Sequence, residues 1–232
     1  MWDRNGTPDL AEMAPGANGS LSFTFFSLGS SGGLPISNQS IMVEATALGT
    51  QLSGGTTPDE ISSSITRKVN IASDIGLNTR IVYSIGSFAN KGGIPPHAEK
   101  ETTYTIIWTA TNSSNDITGA VMKAQLPQYI SWLSQTSPSQ ESISFDPIEK
   151  TVTWNIGELR AGTGFASTPR EVSFQVSFVP SLSQVETTPD IISATTITGR
   201  DRFTSAFLEE TKAALTTRLG TCLLYTSPSP RD

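Results

Sequence analysis

Apolar residues in this chain recur at every second position, in runs short enough to be strands, with turn signals between them. Alternation of this kind puts successive side chains on opposite faces of a strand. Leu21, Phe23 and Phe25 alternate across residues 20–28 and predict a half-buried strand, with a loop from Gly29 to Asn38 behind it. Ile41 to Leu48 predicts a second strand, broken off by Gly54-Gly55-Thr56-Thr57-Pro58. Residues 60–80 predict two more short strands, and Ile81 to Ile85 another. The clearest pattern lies in Thr102 to Asn112. There Tyr104, Ile106, Trp108 and Ala110 point one way and Thr103, Thr105, Thr109 and Thr111 the other, which predicts a buried apolar face and a threonine face in water. Asn112 to Asp116 reads as a turn, with Asn112 able to cap it through its side chain.

The pattern continues with Ala120, Met122, Ala124 and Leu126 opposite Lys123 and Gln125, and Pro127 stops that strand because proline has no ladder donor. Ile143 to Phe145 and Thr151 to Ile156 form a hairpin around Asp146-Pro147, with Val152 and Trp154 on its buried face. Val172, Phe174, Val176 and Phe178 share a face in the next strand, and Ile191 to Ile197 follows. Gly157 and Gly162 supply turn backbone that other residues resist. Only Ala206 to Leu215 offers a helical alternative, since Phe207-Leu208-Glu209-Glu210 resembles a helix start. Eight or more short strands separated by turns predict an all-β, antiparallel sandwich.

Two stretches repeat each other. Ser22-Phe23-Thr24-Phe25 matches Ser173-Phe174-Gln175-Val176, and Ile41 to Gly49 matches Ile191 to Gly199 at an offset of 150 residues. A self-match at fixed offset signals a tandem array. Leu77-Asn78-Thr79-Arg80 also resembles Leu215-Thr216-Thr217-Arg218, at a spacing of 138. Taken as the phase of the repeat, that string predicts the back part of one unit in 1–79 and a complete unit in 80–219. Residues 220–232 are read as a non-native tail, because Cys222 to Asp232 resembles the translation of a sequencing adapter. That reading places the only cysteine outside the natural segment and implies a chain continuing beyond it. It also weakens any inference about location from the missing leader.

Composition narrows the function. The chain has 232 residues, of which 36% are hydrophobic and 16% charged, and carries a formal net charge of −6. An acidic chain without clustered Lys and Arg argues against nucleic-acid binding. No run is long enough for a membrane helix.

Three segments in order resemble a known module. Glu101-Thr-Thr-Tyr104-Thr-Ile-Ile-Trp108-Thr-Ala-Thr-Asn112, the Leu126-Pro127 corner and Val152-Thr-Trp154-Asn-Ile-Gly157-Glu-Leu159-Arg-Ala-Gly162 are similar to the bacterial surface-repeat family called domain of unknown function eleven. The resemblance covers about residues 93–200. It implies an immunoglobulin-like sandwich, a module repeated in secreted or wall-anchored proteins, and no catalytic residues.

The remaining candidate chemistry is thin. His97 is the only histidine, follows Pro95-Pro96, and has no flanking partners for a triad or a zinc site. Asp116, Asp146, Asp190 and Asp201 fall in loops, where carboxylates form turns far more often than they bind calcium. Lys123 points away from the apolar face and reads as solvated. Trp132 stays open as an exposed platform for a glycan, while Phe26 faces away from Phe25 and could meet a neighbouring domain. The sequence therefore predicts a non-enzymatic structural or adhesive repeat module with no cofactor. Neighbouring repeats are its expected partners, and a cell-surface protein or glycan is an open addition. A carbohydrate- or protein-binding sandwich and an accessory module of a secreted enzyme remain as alternatives.

Overall fold

A computed structural model describes residues 2–3, 5–24, 37–51 and 58–218. The chain divides into a stretch up to Gly33 and a larger unit from Leu34 onward. The first stretch contains a 3-10 turn at Pro8–Leu10 and a tilted contact between the Trp2 and Phe23 rings at 6.1 Å. Residues 20–24 are not a strand, contrary to their alternation, and 25–28 lie outside the described residues, as does Phe26. Alternation sets which face a residue would occupy but supplies no ladder partner, and no strand among the described residues forms a ladder with 20–24.

In the larger unit a long hairpin, β1 (Ser40–Gln51) and β2 (Asp59–Asn70), precedes a sandwich. One sheet has the order β3-β4-β9-β6, built from β3 (Ile75–Val82), β4 (Thr102–Asn112), β9 (Arg170–Phe178) and β6 (Ile130–Ser137). The other has the order β12-β11-β5-β8-β7: β12 (Phe207–Lys212), β11 (Thr195–Asp201), β5 (Ile117–Gln125), β8 (Thr151–Leu159) and β7 (Ser142–Asp146). A short pair, β10 (Asp190–Ile192) with β13 (Leu215–Thr216), completes it. Every ladder between these strands is antiparallel, so the fold is an all-β, immunoglobulin-like sandwich.

Two elements differ from the sequence reading. Residues 207–212 form a strand, because β11 offers a free edge that outweighs the helix-like start at Phe207. The expected boundary at residue 80 falls inside β3. The strand starts at Ile75 opposite Asn112, since Ile75 and Leu77 extend its buried face five residues earlier.

The core lies between the sheets. Tyr104, Trp108, Val152, Trp154, Phe174 and Val176 are all completely buried. The Trp108 and Phe174 rings meet edge-on at 5.0 Å, an arrangement favoured by the ring quadrupoles. Burying one such side chain contributes roughly 1.5–3 kcal/mol.

The threonine face of β4 is buried over half its length, while Thr109 and Thr111 stay partly exposed. Thr103 and Thr105 are buried, together with Ser173, Gln175 and Ser177 of β9. The segment 84–101 lies across this face. Asn90 donates to Thr105 Oγ1 at 3.0 Å, Gln175 donates to the Asn90 side-chain oxygen at 2.9 Å, and the Lys91 amide donates to Thr103 Oγ1 at 2.8 Å. Alternation distinguishes the two faces of a strand but does not say what covers the polar one. A hydroxyl-rich face can be buried when its cover supplies hydrogen bonds.

Tyr104 departs from expectation in a second way. A buried tyrosine hydroxyl ordinarily finds a hydrogen-bond partner, yet this one has none among the described residues. Burial pushes its pKa up to about 12, with a smaller contribution from Tyr83. Because the hydroxyl is desolvated without compensation, Tyr104→Phe is expected to leave stability unchanged or raise it by up to about 1 kcal/mol. Chemical denaturation of both proteins checks this.

Candidate functional site

The strands of the sandwich all run between two poles. The proximal pole carries the β2–β3 link, the β4–β5 turn, residues 160–164 and the β11–β12 turn. The distal pole carries the β5–β6 corner, the β7–β8 turn and residues 179–189. There Leu126 N donates to Lys150 O at 2.8 Å, and the Tyr129 hydroxyl donates to Asp190 O at 2.9 Å. Pro127 begins the two-residue corner that returns the chain into β6. The chain reaches the sandwich through residues 71–74 at the proximal pole, and β13 ends at the distal one.

The densest polar cluster lies at the proximal pole, where it grips the incoming link. Asn112, Asn115, Ser73 and Asp201 are each at most 6% exposed. Asn112 ends β4, and its amide nitrogen donates to the carbonyls of Asn115, Leu159 and Arg160 at 2.7, 2.9 and 3.0 Å. Its side-chain oxygen accepts from the Ser73 hydroxyl. Asn115 clasps both strands at the base of the hairpin. Its oxygen accepts from Asn38 N at 2.7 Å, and its nitrogen donates to Ile71 O at 2.8 Å.

Asp201 closes the cluster from the end of β11. One carboxylate oxygen accepts from Ser73 N at 2.6 Å and from Asn115 Nδ2 at 2.8 Å. The other accepts from Phe203 N and Thr204 N, both at 2.8 Å. Burial pushes this carboxyl upward. The hydrogen bonds from Ser73, Asn115, Thr204 and Phe203 more than offset it, so the group lies below the ordinary Asp range. A carboxylate occupied by four N–H donors is a structural anchor, with its lone pairs committed to holding the link.

Gly162 turns the chain beneath this cluster at φ +75°, and its carbonyl accepts from Phe165 and Ala166. Gly157, at φ +76°, sits at the bulge where β8 faces Ala120.

A second polar cluster flanks the core. Glu141 accepts from Trp154 Nε1 at 2.8 Å and forms a two-pronged pair with Arg170, at 2.8 Å from Nε and 2.6 Å from Nη2. Burial raises this carboxyl, while hydrogen bonds from Arg170 and Trp154 and the charge of Arg170 bring it below the ordinary Glu range. A carboxyl lowered in the folded state contributes stability above its unfolded pKa and loses that contribution as pH falls through the folded value. Glu141→Gln is therefore expected to cost about 1–3 kcal/mol at pH 7. The difference from the parent should shrink as pH falls below the unfolded pKa and through the lower folded one, where the parent itself becomes protonated. Urea melts across that range check both statements.

The other candidates from sequence separate from any site. His97 is exposed. Among the described residues, no group of three or more His, Cys, Asp or Glu could hold a metal. Asp146 accepts from the amides of Ile148 and Glu149, which makes it a turn former, while Asp116 accepts from Ala161 N and ties the β4–β5 turn to the segment after β8. Lys123 is exposed on β5. Trp132 is half-buried, with its ring stacked on Phe145 at 5.4 Å and tilted against Phe174 at 5.2 Å. Its ring is thus committed to packing. Sequence reasoning missed Ser73, Asn115 and Glu141, whose partners lie 128, 86 and 29 positions away in the chain.

No protein-family profile matches the chain, and no curated protein sequence matches it. Among solved structures it is similar to BcpA, the major pilin subunit of Bacillus cereus. That similarity has 10% identity and a TM-score of 0.40 and covers 75% of this chain and 47% of the pilin. It is similar also to the full-length major pilin SpaD from Corynebacterium diphtheriae, at 9% identity and a TM-score of 0.37, covering 70% of this chain and 52% of that one. The RrgA Jo.In complex matches at 10% identity and a TM-score of 0.35, over 57% of this chain and 74% of that one. The chain spans about half the length of these two pilin subunits. No helix among the described residues is long and apolar enough to cross a membrane.

Proposed function

We propose that this chain is a non-enzymatic structural module of a bacterial surface protein, built to be joined in series with others of its kind. The observation that supports this most strongly is the path of the chain. It arrives at the proximal pole, gripped there by the Asn112–Asn115–Asp201 cluster, and its last described strand ends at the opposite pole. Tension applied at the two ends therefore acts along the strands, where many ladder hydrogen bonds share the load. The resemblance of the Tyr104, Leu126-Pro127 and Trp154 segments to the surface-repeat family fits the same role. The polar clusters fit it too, since their groups hold backbone and one another.

Single-molecule pulling on the full chain, held at its two ends, tests this reading. The expected result is one cooperative unfolding event for the sandwich, at a force lowered in Asp201→Ala. Gradual extension without a force peak would overturn it.

A further inference from the structure

Among the described residues, the hairpin β1–β2 is a large element whose two faces are both open. Its faces differ. Ile41, Val43, Ala45 and Ala47 of β1 share a side with Ile61, Ile65 and Val69 of β2, interrupted by Ser63 and Arg67, while Glu44, Thr46 and Thr50 lie opposite with Ser62, Ser64, Thr66 and Lys68, on a mainly polar side that also carries Met42 and Leu48. Ile61, Ile65 and Val69 are each more than half exposed. An amphipathic two-stranded ribbon of this kind is marginal alone.

The same chain shows what covers such a ribbon. In β11–β12 the partners Thr195↔Lys212, Ile197↔Glu210, Gly199↔Leu208 and Arg200↔Phe207 reproduce Ala45↔Ile65, Ala47↔Ser63, Gly49↔Ile61 and Thr50↔Glu60. Every β1 residue lies 150 positions, and every β2 residue 147 positions, before its counterpart. The pair Ile192↔Leu215 continues the register onto Met42↔Lys68. A hydrogen bond like that from Ile71 N to Gln39 O runs from Thr217 N to Pro189 O, one residue out of this register beyond the irregularity between Asp190 and Ile192.

Most of the buried positions coincide as well, Ile192 and its exposed counterpart Met42 being the exception. Ile191, Thr195, Ile197, Gly199 and Asp201 are buried in the sandwich, and their counterparts Ile41, Ala45, Ala47, Gly49 and Gln51 form the side of β1 that carries the apolar face. In the sandwich, the second edge of β11 is occupied by β5, with Thr196↔Lys123, Ile197↔Met122 and Thr198↔Val121 opposed. The matching edge of β1 has no partner among the described residues. An unpaired strand edge is a template for another strand.

We infer that the free edge of β1 and the apolar face behind it form a docking surface for one antiparallel strand with the pattern of β5, carried by a sandwich body of the same kind. In the docked state Met122 of that strand type stands opposite Ala47, Lys123 opposite Thr46 and Val121 opposite Leu48. Its Ala120, Met122 and Ala124 side chains extend the apolar face, as they do beside β11. This inference rests on the reading of the chain as a serial module, and it names the strand that an adjoining unit supplies.

The test titrates a synthetic peptide with the sequence of Ser113 to Leu126 into the full chain and follows backbone amides by NMR. The expected result is saturable binding, with shifts concentrated in residues 40–51 and β5 undisturbed. A peptide carrying Ala120→Lys and Met122→Lys is expected to bind at least about tenfold more weakly, because charge replaces the side chains that meet the apolar face. Ala47→Asp in the chain is expected to weaken the parent peptide by a similar factor. Ala47 is exposed and outside the core, so the melting of the sandwich should not change. Absence of saturable shifts, equal binding of a scrambled peptide, or shifts confined to β5 and β11 would each overturn the inference. None of these results alters the pulling measurement, which bears on the serial module itself.

Discussion

Asp201→Ala is expected to destabilise the unit by about 3–5 kcal/mol, read as a shift in the urea midpoint followed by tryptophan fluorescence. Four donors point at this carboxylate, namely the amides of Ser73, Phe203 and Thr204 and the side chain of Asn115. Removing it leaves all four in a site where Asp201 is completely buried. Each unpaired buried donor costs roughly 1–3 kcal/mol, partly recovered by relaxation and by water. Asp201→Asn keeps the volume but presents an amide to donors, so it should fall between parent and alanine. The pH dependence has a definite sign. The folded-state carboxyl lies below its reference value of 3.8. Its contribution is therefore fully present above the unfolded pKa and drains away as pH falls through the folded value. Asp201→Ala should lack that acid-sensitive component, and parallel melts between pH 7 and pH 3 decide it.

Trp154→Ala is the second large effect, at about 3–5 kcal/mol for the emptied core volume alone. The indole is completely buried on β8, opposite Met122 and Ile143. It also donates to Glu141, so the truncation removes one hydrogen bond from a carboxylate whose side chain is 10% exposed. Trp154→Phe separates the two contributions, because it retains most of the apolar volume and loses the N–H. It should cost less than the alanine variant, and combining it with Glu141→Gln should give less than the sum, since both remove one contact. Trp108 offers the contrast. Its Nε1 has no partner among the described residues, so Trp108→Phe loses volume without losing a hydrogen bond. A double-mutant cycle on Trp154 and Glu141, with Trp108→Phe as reference, measures the coupling.

The alternating residues of β4, β5, β8 and β9 were legible because a strand buried on one face repeats every two residues. Trp154 and Val176 needed nothing more to be placed in the core. Thr103 and Thr105 were not legible, because their burial depends on Asn90 and Lys91 arriving from a segment with no periodicity. The proximal cluster was hidden for a similar reason. Asn115 and Asp201 look like ordinary turn residues, and only the fold brings them within 2.8 Å. The internal match at offset 150 corresponds to the same hairpin register from Ile192 to Arg200, with a one-residue shift at Asp190. The string at 77–80 does not correspond to that at 215–218 in structure. Leu77 pairs with Ala110 in the four-stranded sheet, whereas Leu215 pairs with Ile192 and takes the place of Lys68. Three matching letters in four carry less information than a repeated spacing of pairs.

The clasp that Asn115 makes on Asn38 and Ile71 also fixes an angle. Two bonds on opposite strands of the hairpin base resist twist and tilt together, where one would permit rotation. Asn115 is buried and both bonds join uncharged groups, so dissolved ions weaken them little. Protonating Asp201, the neighbour that holds Asn115 in place, does weaken them. A column made of such joints would keep its straightness in brine and become limp in acid, with bending rigidity governed by a single carboxylate per joint.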